Sequence, residues 1–121
     1  MDLSIDPHSV AQLQLNLPGV DLEISKIYLE VLGRSVDPSG GAEYTTQVRS
    51  GKINPMGVRI AIAQSVESKN KIKSLYQNIF QRIPAEPEIT NWIKYLINGG
   101  TIQKMYLLFL RSDEALIAKE Y

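Results

Sequence analysis

Residues 24–34 read ISKIYLEVLGR, and residues 72–82 read IKSLYQNIFQR. The two stretches lie 48 positions apart and share one pattern. The apolar positions are Ile24, Ile27, Tyr28, Val31 and Leu32 in the first, and Ile72, Leu75, Tyr76, Ile79 and Phe80 in the second. Both sets step i, i+3, i+4, i+7, i+8, which is one stripe along an α-helix. Each stretch closes on an arginine, Arg34 or Arg82, two residues past its stripe. A helix written twice at fixed spacing predicts two copies of one supersecondary unit.

Working outward from the first copy, Asp21 is placed to cap it and Gly33 to end it. Upstream, Asp6-Pro7 signals a short helix with Val10, Leu13 and Leu15 apolar, stopped by Pro18-Gly19. Downstream, Asp37-Pro38 predicts a second helix to about residue 49, with Tyr44 and Val48 facing inward and Gly51 closing it. Gly40-Gly41 in its first turn is costly for a helix and suggests that a neighbouring backbone packs close there. Asn54-Pro55 starts a third helix carrying Val58, Ile60, Ile62 and Ala63; its mixed spacing leaves a strand conceivable, but the Asn-Pro start favours helix. Ser65-Val66-Glu67 then ends the first unit, and Ser68 is placed to cap the next.

The second unit repeats the plan. The long helix is followed by a helix over about 87–98 with Trp92, Ile93 and Leu96 apolar, closed by Gly99-Gly100. Thr101 caps a third helix carrying Met105, Leu107, Leu108 and Leu110. Ser112-Asp113-Glu114 starts a last short helix with Leu116 and Ile117. The run 105–110 is apolar nearly all round, so that helix is expected at the centre of the core or covered on two sides. The predicted fold is all-α, a compact helical domain of two pseudo-repeated three-helix units, about 21–67 and 68–121, after an N-terminal segment at 1–20 with its short helix.

Composition narrows the function classes. A chain of 121 residues suits one domain. Thirteen Lys and Arg balance thirteen Asp and Glu, whereas non-specific binding to nucleic acid or anionic lipid needs a basic excess; the cluster Lys69, Lys71, Lys73 is the one local exception. The absence of cysteine excludes disulfides, thiol catalysis and cysteine-ligated metals. The six-residue apolar run at 105–110 is far short of the roughly 20 residues that span a bilayer. No secretory signal pattern is read in MDLSIDPHSV.

The motif residues stand as YLEVLGR, DPSGGAEY, SGK and SVE. Over about residues 21–114 this pattern resembles a helical bacterial domain of unknown function that recurs in surface-layer proteins, hemolysin-type calcium-binding repeat proteins and glycosyltransferases, and that is itself similar to the phycobilisome linker domain. The second unit departs from it where the Gly-Arg pair becomes Gln81-Arg82 and the turn becomes AEPE; the tryptophan that the resemblance implies is Tyr44 in the first unit and survives as Trp92 in the second. The resemblance implies a non-catalytic module within a longer bacterial protein, one that docks its parent to a glycan, a cell surface or a protein partner, outside the cytoplasm.

Candidate residues follow. Arg34 and Arg82, beside Asp37 and the acidic Glu67 and Glu114, read as structural clasps, because arginine's five donors satisfy loop carbonyls and carboxylates together; Arg34→Ala is expected to cost a few kcal/mol. Asp37 and the following glycines lack the alternating ligands of a calcium loop, so no metal is predicted. His8, the only histidine, has no partner for a metal set or a catalytic triad, and no cofactor or enzyme activity is read. Trp92 and Tyr95 lie three apart on one helix. With Asn91, Lys94 and Asn98 as a polar edge, and Tyr106 near, they are the candidate ligand-binding residues for an envelope or surface polysaccharide. The alternative is a protein-interaction or linker module. No nucleic-acid partner and no membrane insertion are expected.

Overall fold

The computed structural model describes residues 18–119, with side chains from residue 19 to residue 116. The short helix expected after Asp6-Pro7 lies outside those residues, with His8, Val10, Leu13 and Leu15, and so do Tyr121 and the side chain of Ile117. Among the described residues there are seven α-helices and no strand: α1 Pro18–Leu32, α2 Pro38–Arg49, α3 Pro55–Ala63, α4 Val66–Leu75, α5 Glu86–Ile97, α6 Ile102–Leu110 and α7 Asp113–Lys119. One π-helical turn, Tyr76–Phe80, continues α4 without a break. The chain is all-α, as its stripes and caps require.

Most helix starts are made by the side chain just outside them. Asp37 accepts the Gly40 N–H at 2.8 Å, Asn54 the Gly57 N–H at 2.7 Å, Ser65 the Ser68 N–H at 3.1 Å, and Thr101 the Lys104 N–H at 3.0 Å. Each satisfies an N–H that the helix leaves free, a contribution of about 1 kcal/mol per cap. Pro38 and Pro55 sit where no intrahelical N–H is needed.

Three local expectations are corrected. Pro18-Gly19 lies in the first turn of α1, where proline is tolerated; the helix it was expected to stop lies outside the described residues. Asp21 is therefore inside that first turn rather than the cap, and its carboxylate meets Arg49 of α2 at 3.3 Å. Ser68 is not a cap either. Ser65 caps, and Val66–Phe80 runs straight through, because no residue between breaks helix; α4 thus spans the expected boundary at 67–68. At Gly40 and Gly41 side chains, not a neighbouring backbone, fill the space: an added Cβ would stand 2.7 Å from Asp37 Oδ2 and the Tyr28 hydroxyl, or 2.6 Å from Val36 Cγ2.

α1 is the central helix. Its stripe of Ile24, Ile27, Tyr28, Val31 and Leu32 is buried, and it packs against α2, α3, α4 and α6. α5 packs on α3 and α4, and α7 on the π turn and α6. Val58, Ile62 and Ala63 of α3, with Ile72, Tyr76, Ile89, Leu96, Met105 and Phe109, complete the core. Each fully buried side chain of this size contributes about 1.5–3 kcal/mol, so one continuous cluster holds both halves.

α6 departs from expectation. Only Met105 and Phe109 are buried, while Tyr106, Leu107, Leu108 and Leu110 remain 44%, 40%, 41% and 39% exposed. An apolar run without a polar side has no amphipathic direction to orient it; here two positions, four apart, face the core and the rest face outward.

Candidate functional site

Tyr28 and Arg34 leave the end of α1 beside the first turn of α2. The Arg34 guanidinium donates to Glu67 through Nε at 2.5 Å and Nη2 at 2.8 Å, to the Ser35 carbonyl at 2.8 Å and to Asp37 at 3.3 Å. It lies 5.2 Å above the Tyr28 ring centre. This arrangement recurs in the second half. Arg82 donates to Glu114 at 2.5 and 3.1 Å and to Glu88 at 2.8 and 2.7 Å, and lies 4.9 Å above the Tyr76 ring. In both places one fork-shaped cation joins a helix end, the turn after it and the first turn of a later helix, α4 or α7.

Glu88 was not singled out from the sequence, and its role differs from that of Asp37. Asp37 sits at the cap itself. Ala85 has no side-chain acceptor, so Glu88, three residues on, reaches back to the Ala85 N–H at 2.9 Å and also takes Arg82. The signal was half of a capping box, hidden because alanine stands where serine or threonine is usual.

The charges are fixed around neutral pH. The Arg34 guanidinium holds Glu67 below the ordinary carboxylate range, and the Gly40 N–H does the same for Asp37. Arg82, helped by the Ala85 N–H, lowers Glu88 from 4.5 to about 2. Both arginines are shifted upward in turn, chiefly by hydrogen bonds to Glu67 and to Glu88. Burial raises Tyr28 and Tyr76 above 10. These groups hold turns in place; none is poised to exchange a proton at neutral pH.

A third arginine was also missed. Arg59 of α3, with a side chain only 11% exposed, donates through Nε to the Leu96 carbonyl at 2.7 Å, through Nη2 to the Gly100 carbonyl at 2.7 Å, and through Nη1 to Glu30 at 2.7 Å. It ties α1 and α3 to the carbonyl end of α5, where unpaired acceptors and the dipole favour a cation. The sequence signal is a lone arginine inside the apolar run VRIAIA, with no hint of its partners.

The residues read as a sugar-binding surface are divided by the fold. Trp92 is half-buried. Its indole N–H donates to the Tyr76 hydroxyl at 3.0 Å, and its ring meets Phe109 at 4.9 Å and Tyr95 at 5.3 Å, edge to face in both cases. Tyr95 is half-buried and packs over Gly100. Asn91, Lys94 and Asn98 are exposed on α5, and Tyr106 is exposed on α6. Among the described residues no aromatic contact joins Tyr106 to Trp92 or Tyr95.

A surface hollow of about 380 Å3 lies between α1 and α2 and is lined by Ile24, Val36, Gly41, Ala42, Thr45 and Arg49 among others. Two others are lined by Glu67, Asn70 and Lys71, and by Glu30, Met56 and Arg59. Among the described residues no group of three His, Cys, Asp or Glu could hold a metal ion, and no helix is long and apolar enough to cross a membrane.

Residues 24–72 match one family model, described as "Domain of unknown function (DUF4214)". That stretch begins at the first buried isoleucine of α1 and takes in the whole Arg34–Asp37–Glu67 clasp. DUF4214 therefore covers the first of the two matching arrangements, and its description assigns no activity. Comparisons with curated proteins and with solved structures give no match.

Proposed function

We propose that this domain is a non-catalytic interaction module of a larger protein, and that it recognises a protein partner through the outer face of α6 and α7. The observation that carries the reading is that α6 leaves Tyr106, Leu107, Leu108 and Leu110 exposed, and α7 leaves Leu116 exposed at 56%. Large apolar side chains left exposed on two helices that pack together are the kind of surface that marks interfaces. The clasp chemistry supports the non-catalytic part, since its charges are spent on one another. The indole of Trp92 is already engaged, which leaves little aromatic plane for a sugar beside Asn91, Lys94 and Asn98.

The test is site-specific photocrosslinking in the cells that make the protein. A benzophenone amino acid replaces Leu107 in one variant and Asn91 in another. Protein adducts at position 107 and none at 91 are expected. Polysaccharide adducts at 91, with none at 107, would overturn the proposal and establish the envelope-glycan alternative.

A further inference from the structure

The chain carries its own template for what covers α6. α3 and α6 are built alike. Each follows a side-chain cap, Asn54 or Thr101, and buries the residues four and eight positions later: Val58 and Ile62 in α3, Met105 and Phe109 in α6. Each is followed by a serine, Ser65 or Ser112, whose hydroxyl donates back to the Ile62 or Phe109 carbonyl at 2.6 or 2.7 Å. Each then leads into a helix whose glutamate, Glu67 or Glu114, closes an arginine clasp.

The two helices differ in what lies outside them. α5, an amphipathic helix, packs on α3 and α4, and Arg59 grips its carbonyl end. Ala63 of α3 is fully buried, whereas Leu110, at the same place in α6, is 39% exposed. Arg59 is answered by Tyr106, Ile60 by Leu107 and Ala61 by Leu108, so the outer face of α6 is the more apolar of the two.

Resting on the interaction reading above, we infer that the partner element is an amphipathic α-helix that docks across α6 and α7 as α5 docks across α3 and α4. The incoming helix presents apolar residues at i, i+3 or i+4, and i+7. It carries its carbonyl end toward Tyr106, whose hydroxyl stands in for the Arg59 donors. Lys104 and Arg111, exposed near the two ends of α6, suit acidic residues on its flanks.

The probe is the chain's own α5 as a labelled peptide, residues 86–98, EPEITNWIKYLIN, held helical by a lactam between Lys94 and a glutamate at position 90 (Thr90→Glu). Fluorescence anisotropy against the intact chain is expected to saturate. Leu108→Glu weakens binding at least about tenfold, while Leu22→Glu, at a more exposed position on α1, leaves it unchanged; circular dichroism checks that both variants are folded. Absence of saturation, or equal loss in Leu22→Glu, overturns the inference. So does sedimentation in which the chain pairs with itself and Leu108→Glu makes it monomeric, because a second copy is then the occupant. Failure here combined with protein adducts at residue 107 removes the helix and leaves the interaction role standing.

Discussion

Arg59 is the sharpest point at which the packing can be tested. Replacing it with methionine keeps the aliphatic stem and removes three hydrogen bonds at once, to Glu30, the Leu96 carbonyl and the Gly100 carbonyl. A hydrogen bond to a charged group contributes about 1.5–3 kcal/mol where water is excluded. Arg59 is close to that limit at 11% side-chain exposure, but Glu30 at 24% is partly hydrated after the change, and methionine recovers some packing. The net loss expected is about 3 kcal/mol, toward the lower end for a broken buried ion pair. In a domain of this size about 4 °C accompanies each kcal/mol, so the melting temperature should fall by about 12 °C. Differential scanning calorimetry reads that shift, and hydrogen exchange localises it to the last turn of α5. Glu30→Gln alone should cost less, and the double variant should show coupling of about 1–2 kcal/mol. A fall of under about 4 °C in Arg59→Met would mean that Arg59 merely lies against α5 and does not hold it.

Other outcomes follow from the same contacts. Arg34→Ala and Arg82→Ala should lose about 1–2 kcal/mol each in urea denaturation, since their side chains are about a third exposed and water screens the pairs; Arg82, which binds two carboxylates bidentately, should lose the more. Glu88 is lowered from 4.5 to about 2, so the unfolded chain binds the extra proton first as pH falls. Its stabilisation is complete above about 4.5 and is lost progressively down to about 2, and Glu88→Gln should flatten the stability profile in that window. Gln81 holds φ at 57°, where the first half has Gly33 at 68°. Gln81→Gly should therefore raise stability by about 0.5–1 kcal/mol, and a lower melting temperature would show that its side chain matters more than its backbone.

Much of the fold was legible. The ends of α2 and the start of α3 follow from Asp37-Pro38, Gly51 and Asn54-Pro55, because caps and breakers act within a few residues and leave their mark in the local sequence. Errors fell where two local rules competed. Asp21 is acceptable as a cap and as a first-turn residue, and both Ser65 and Ser68 are acceptable caps. The site was less legible. The repeated stripe set Arg34 and Arg82 at matching places, and the fold pairs them with Glu67 and Glu114, but Glu88 and Arg59 carried no motif that names their partners.

The sequence by itself determined the helical class, the stripe that α1 buries, and the caps that divide the chain. These depend on interactions within a turn or two of helix. Tertiary structure alone decided that Arg59 reaches the end of α5, that Trp92 gives its N–H to Tyr76, and that α6 turns Leu107, Leu108 and Leu110 outward. Periodicity says which residues share a face, not what lies against that face. The run at 105–110 of α6, apolar on every side, had no face to declare until its neighbours had packed.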